Sequence, residues 1–243
     1  MKHQYVITSN HNRLMSGIQA VENRGSQNKN IVLLTGEPSA GKTYSIDNWG
    51  SDANALALEG LPTMNLTYVT DWLADQTGVH EKRKFNQQKA VESWFKETGF
   101  PIVFDEAQHG LKDKAACIEY LRRLTELSGT YLVLVCHTSE RHNFAANKVA
   151  HIASRISNII ELKRANHADC ALYLGEKCEV KVDDTIVATA LQQSSGGYRL
   201  LDDAVKTLEA IGAKLGKKEL MGADIGKIKL CENAMQTLAR GGK

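Results

Sequence analysis

The stretch from Gly36 to Trp49 reads GEPSAGKTYSIDNW, and it follows the apolar run NIVLLT from Asn30 to Thr35. Gly36, four residues, then Gly41, Lys42 and Thr43 form the spacing of a phosphate-binding loop set between a buried strand and a helix. Glycines allow the tight turn, and its backbone N–H groups point inward at an anion. Pro38 stiffens the loop, where its missing donor costs little. Lys42 is placed to reach the β and γ phosphates of a nucleotide, and Thr43 to ligate Mg²⁺. The expected nucleotide contacts run from Gly36 through Glu37, Pro38, Ser39, Ala40, Gly41, Lys42 and Thr43 to Tyr44.

A phosphate loop binds; hydrolysis needs more. FPIVFDEAQHG, Phe100–Gly110, is a second apolar run that ends in two acids. Asp105 at the strand end is suited to the Mg²⁺ shell, and Glu106 to orienting and activating water. A third run, YLVLVCHTSER, ends in His137 and Thr138, either of which could touch the γ-phosphate or the attacking water. Arg155, in ASRISNIIEL, stands just before another strand. At that domain edge it is away from its own nucleotide and suited to the γ-phosphate of a neighbouring subunit. Arg199, in SSGGYRLLDDA, begins a helix after two glycines, from which it could reach phosphates.

Outward from these motifs, the apolar runs alternate with helical patterns. A first helix is expected over about Asn12–Asn23, with Leu14, Ile18 and Val21 at helical spacing. A short strand is expected near Thr63–Leu66, then helices over Tyr68–Asp75 and Gln87–Glu97, separated by the loop GVHEKRKF. A long helix over KDKAACIEYLRRLTELS turns Ile118, Leu121 and Leu124 to the core. This alternation predicts a parallel sheet with helices on both faces. After Arg164 the pattern becomes helical throughout, without buried-strand runs. The expected domains are therefore 1–164, the α/β nucleotide-binding domain, 165–215, a small helical lid, and 216–243, a basic tail with one possible helix.

The chain has 243 residues, 24% of them charged and 42% hydrophobic, with a formal net charge of +2. A near-neutral total means that any nucleic-acid surface must be local. The cysteines at 117, 136, 170, 178 and 231 are scattered, with no C-x-x-C, and there is no signal sequence. Both fit a reducing cytosol. Cys136, inside an apolar run, reads as a core thiol. No apolar run approaches the length of a membrane span. His109, His137 and His142 fall at no metal spacing, so no transition metal is expected.

Taken together, these motifs resemble the AAA+ ATPase superfamily over residues 10 to 210. GEPSAGKT matches its phosphate loop, VFDEA its acidic strand end, the His137/Thr138 pair its first sensor, ASRIS its arginine-finger box and GGYRLLDDAVKTL its second-sensor helix. Within the superfamily the chain is most similar to the bacterial and phage transposition ATPases related to the Mu phage transposition protein B. The resemblance implies an α/β P-loop NTPase fold with a helical lid, and ATP hydrolysis with Mg²⁺. It also implies assembly as a ring or helical filament on duplex DNA, recruitment or activation of a transposase, and a cytoplasmic place in a bacterial or phage-infected cell. The chain has little room for that family's helix-turn-helix appendage or its larger C-terminal domain, so the DNA contact is expected on the ATPase surface. Lys82, Arg83 and Lys84, with Lys112 and Lys114, are the expected phosphate contacts, binding without regard to sequence. The competing reading is a helicase or replication loader, or another AAA+ ATPase acting on a protein client. A small-molecule kinase fits less well, because no substrate acid or base follows from the spacing.

Overall fold

The computed structural model describes residues 1–232. Helix α1 spans Ser9–Glu22, strand β1 Ile31–Gly36 and helix α2 Lys42–Asp52. Strand β2 (Leu56–Glu59), helices α3 (Leu66–Thr77) and α4 (Lys84–Thr98) and strand β3 (Ile102–Asp105) follow. Then come helix α5 (Lys112–Leu127), strand β4 (Leu132–His137), the short helix α6 (Ala150–Ala153) and strand β5 (Ile156–Leu162). By packing, the described residues divide into two units, one of residues 13–36 with 42–161 and one of residues 1–12 with 37–41 and 162–232.

The first unit holds a sheet of order β2-β3-β4-β1-β5. Among its strands, β1 runs parallel to β4, β4 to β3 and β3 to β2. Every residue of β1 is buried. A central parallel strand covered on both faces needs an unbroken apolar run rather than alternation, which is why NIVLLT and YLVLVC read as they do. The register sets Gly36 beside His137 and Glu59 beside Asp105, so the phosphate loop, both acids and the end of β4 leave the sheet at the same edge. Leu33, Phe95, Phe104, Ile118 and Leu134 belong to the core on this sheet. Leu14, Ile18 and Val21 of α1 are buried, as the spacing predicts.

Two expectations need correction. The strand expected at Thr63–Leu66 lies instead at Leu56–Glu59. Residues 63–65 lead into α3, and the Asn65 side chain caps it by accepting from the Tyr68 N–H at 2.9 Å. The run LALE has helical propensity, and pairing with β3 overrides it. Next, Lys84 and Phe85 are the opening of α4 rather than loop. Helix α5 opens at Lys112, where the long helix was expected, on a turn in which Asp113, Lys114 and Ala115 all have left-handed φ between 48° and 61°.

The second unit is helical. Helix α7 (His167–Lys177) opens on a capping box between Asn166 and Asp169, α8 (Asp184–Ser194) on the Asp183 side chain, and α9 (Tyr198–Leu215) after Gly197. Leu174, Ile186, Leu201, Val205 and Leu208 are buried together. A pair of two-residue parallel strands, β6 (Lys181–Val182) and β7 (Glu219–Leu220), joins this unit, where no strand was expected. Cys231 reaches its core. The helix expected in the tail lies partly outside the described residues. Among the described residues no helix is long and apolar enough to cross a membrane.

Candidate functional site

The segment 36–43 forms a turn in which the Ala40 N–H donates to the Glu37 carbonyl at 3.2 Å. Ser39 and Gly41 have φ of 62° and 81°, a left-handed pair in which the glycine is at ease and the serine is not. Helix α2 then starts at Lys42, and the backbone N–H groups of its first turn have no partner within the helix.

In the sheet unit the chemistry converges. Lys42 Nζ donates to the Gly36 carbonyl at 2.8 Å, which folds the side chain back over the start of the turn. Burial lowers the Lys42 pKa from the ordinary lysine value, and the nearby Asp105 and Glu106 charges offset part of that. Thr43 Oγ1 donates to Asp105 Oδ2 at 3.1 Å, although the two residues are far apart in sequence. A hydroxyl and a carboxylate this close are oxygen donors of the kind Mg²⁺ takes, and they fit that ion. Asp105 Oδ1 accepts from the Glu106 N–H at 2.8 Å. Glu106 itself has φ 49°, ψ 41°, left-handed for a non-glycine residue, which turns its carboxylate out of the strand direction. Asp47 has its pKa raised, first by burial and then by the Asp105 charge.

Gly60, which sequence reasoning did not single out, is needed here. Its N–H donates to the Asp105 carbonyl at 2.8 Å, and a Cβ on it would stand 2.4 Å from the Glu106 carbonyl oxygen. No side chain fits without moving the acidic strand end. Gln108 was also missed; its Nε2 donates to Glu106 Oε2 at 2.5 Å.

At the end of β4, the His137 Nδ1 sits 2.9 Å from Ser139 Oγ. Thr138 Oγ1 is buried and has no hydrogen-bond partner among the described residues. It lines a cavity of about 630 Å³ together with Leu33, Arg141, Phe144 and Ile159. Cys136 is a core thiol whose pKa burial pushes up to about 12.

Arg155 lies between α6 and β5, and its carbonyl accepts from the Ile31 N–H at 3.1 Å. Ile31 opens β1 and Gly36 closes it. At a rise of about 3.3 Å per residue, the backbone of Arg155 therefore lies roughly 16 Å from the start of the phosphate loop. Its side chain makes no ion pair among the described residues.

In the helical unit, residues 37–41 are gripped from three places. Tyr198 N donates to Ser39 O at 2.9 Å, and a Cβ on Gly41 would meet the Tyr198 ring at 3.3 Å. Arg164 Nε donates to Glu37 Oε2 at 2.8 Å and its guanidinium to Ser195 O at 3.2 Å. The buried Asn10 donates to Ala40 O at 3.0 Å and to Lys163 O at 2.6 Å, and accepts from Lys163 N at 3.0 Å. Neither Asn10 nor Arg164 carries a sequence motif; their partners are remote in the chain. Arg199 is exposed, in the first turn of α9.

The basic residues are less uniform than their sequence. Lys82, Arg83, Lys84, Lys112 and Lys114 are all exposed. The Lys84 ammonium pairs with Asp71, and Lys112 donates to the Pro62 carbonyl. Asp71, Asp75 and Glu81 line the same groove as Lys82.

A turn of this form between β1 and α2, on a parallel five-stranded sheet flanked by helices, is the fold of a P-loop NTPase of AAA+ type. Residues 24–144 match the AAA domain family. No curated protein sequence matches the chain. Among solved structures, Cdc6p from Pyrobaculum aerophilum superposes with a TM-score of 0.66 at 15% identity, over 93% of this chain and 68% of that one. The Aeropyrum pernix ORC2 protein, in ADPNP–ADP complexes, gives 0.62 at 16%, over 90% and 64%. Thermotoga maritima RuvB, a Holliday junction branch migration motor, gives 0.59 at 17%, over 90% and 68%. Likeness at this identity is likeness of fold. The chain spans about two thirds of the length of these structures, 64% of the ORC2 protein.

Proposed function

We propose that this protein binds and hydrolyses ATP with Mg²⁺, assembles on duplex DNA without regard to sequence, and recruits or activates a transposase there. The observation that carries the catalytic half is the convergence of Lys42, Thr43, Asp105 and Glu106 at one edge of the sheet. In this reading Lys42 neutralises the β and γ phosphates and the turn N–H groups cradle them. Thr43 and Asp105 hold Mg²⁺, which when bound withdraws charge from the phosphate oxygens. Glu106 takes the proton of the attacking water. Thr138, whose hydroxyl is uncommitted, is the better first sensor than His137. Arg155 serves the site of a neighbouring subunit, which its place beside the far end of β1 supports. Arg199 senses nucleotide from the lid, residues 165–215, and the sequence 216–243 is basic.

The DNA half rests on Lys82, Arg83, Lys84, Lys112 and Lys114, repeated in each subunit of a ring or filament. Lys82, Arg83 and Lys114, exposed and without an ion pair among the described residues, carry most of it. The transposase partner rests on the sequence resemblance. The likeness in fold to RuvB supports the second reading, a DNA motor or loader. The deciding test is binding to unrelated duplexes with and without a non-hydrolysable ATP analogue, followed by a translocation assay. Nucleotide-dependent binding with no movement along DNA supports the first reading, and movement the second.

A further inference from the structure

Gln108 lies two residues past Glu106, in the 3₁₀ turn Ala107–Leu111 that leaves β3. Its amide donates to Glu106 Oε2 at 2.5 Å. Electrostatics fixes which end of the amide faces Glu106, because a carbonyl turned that way would set acceptor against acceptor. The other end, Oε1, is buried and has no partner among the described residues. The turn that carries Gln108 is anchored on both sides. Ala107 is fully buried, and Gly110 lies so close to Phe104 that a Cβ would stand 2.5 Å from its ring. A rigid amide therefore spends its donor on the acid that activates water and keeps a buried acceptor unused. Orphaned acceptors of this kind are rare in folded proteins and mark a place where a water or a catalytic group is received.

We propose that Gln108 positions the attacking water. Its amide fixes the Glu106 carboxylate, and its Oε1 accepts one water hydrogen while Glu106 accepts the other. The inference rests on the ATPase reading above. In the step it serves, the water oxygen forms a bond to the γ-phosphorus. The bond from that phosphorus to the β–γ bridging oxygen breaks, and its electron pair leaves with ADP. The water proton passes to Glu106, and Gln108 stays neutral throughout.

The test uses the full chain with Gln108→Ala, Gln108→Glu and Glu106→Gln. Single-turnover ATP hydrolysis is measured beside equilibrium binding of ADP, ADP–beryllium fluoride and ADP–aluminium fluoride. Gln108→Glu keeps the shape but sets a second carboxylate against Glu106. Both Gln108 variants are expected to lose about 10- to 100-fold in rate. Their ADP and beryllium-fluoride binding stays unchanged, and aluminium-fluoride affinity falls with the rate, because the water position is occupied only in the planar complex. A wild-type rate in Gln108→Ala beside an inactive Glu106→Gln overturns the proposal and leaves the ATPase reading standing. Lost ADP binding in both Gln108 variants makes the residue structural and overturns it as well. Wild-type hydrolysis by Glu106→Gln removes the assignment of the acid itself, and the proposal with it.

Discussion

Lys42 and Lys84 each open a helix, α2 and α4, and the fold puts them to opposite uses. Lys42 is partly buried, bonded to Gly36 and set near Asp105 and Glu106, which come from a different strand. Its charge is poorly solvated and is available to an incoming phosphate. Lys84 is exposed and paired with Asp71. An exposed pair of that kind is worth about 0–1 kcal/mol and is screened by salt. A run of like charges in sequence is thus no measure of the field it makes. The field depends on what the fold brings opposite, and at residues 82–84 it brings Asp71, Asp75 and Glu81 into the same region.

The sharpest way to break this contrast is at the sheet edge. Lys42→Ala is expected to lower ATP affinity about 100-fold, since it deletes a charge-assisted phosphate contact from a partly desolvated site. Glu106→Gln is expected to bind ATP normally and to lose about 10³-fold in turnover, because the carboxylate acts on water. Labelled-nucleotide titration and phosphate release separate the two. Equal loss of binding in both variants would mean that the acids support the turn rather than the chemistry.

A second test asks whether the site is complete within one chain. Arg155→Ala is expected to hydrolyse ATP poorly, by about 100-fold, as removal of a charge that stabilises the transferring phosphoryl group requires. Mixed with Lys42→Ala protein it should recover part of that rate, one variant supplying the pocket and the other the arginine. A mixture no more active than the sum of its parts, in variants that still co-assemble, rules out action between subunits.

A third, smaller effect is in pH. Burial holds the Lys42 pKa below the ordinary lysine value of 10.5, so the free site loses its charge as pH rises through that lowered value. ATP affinity is therefore expected to fall on the alkaline side earlier than for a solvated lysine, and Lys42→Arg should flatten the curve. Isothermal titration from neutral to alkaline pH follows it. The affinity of the wild type holding level up to the ordinary lysine range contradicts the burial argument.

How much of this was readable beforehand follows the range of the interactions. The phosphate loop, the acidic end of β3 and the core positions of α1 and α5 are local patterns, with fixed spacing or strong periodicity, and they appear in the sequence directly. Strand β2 does not, because LALE is a good helix sequence that becomes a strand only by pairing with β3. Asn10 and Arg164 were invisible for the same reason: nothing near them in the chain announces that they hold Ala40 and Glu37. Gln108 is only two residues from Glu106, yet their contact depends on the left-handed backbone at Glu106, which no residue type there predicts. The run Lys82–Lys84 was legible as charge and not as field, since Asp71 and Asp75 come from the preceding helix.

The most direct test of the central claim is fluorescence anisotropy on two unrelated duplexes across a salt series, with and without a non-hydrolysable ATP analogue. It is run on wild-type protein, on Lys84→Ala and on the double variant Lys82→Ala, Arg83→Ala. The account predicts tight binding only with the analogue and equal affinity for both sequences. Log affinity should fall with log salt by about 0.9 for each phosphate neutralised. The double variant should weaken binding to both duplexes alike and flatten that slope, while Lys84→Ala changes little because its charge is already spent on Asp71. Binding that ignores the nucleotide, or that prefers one duplex, would contradict an ATP-gated, sequence-independent DNA assembly.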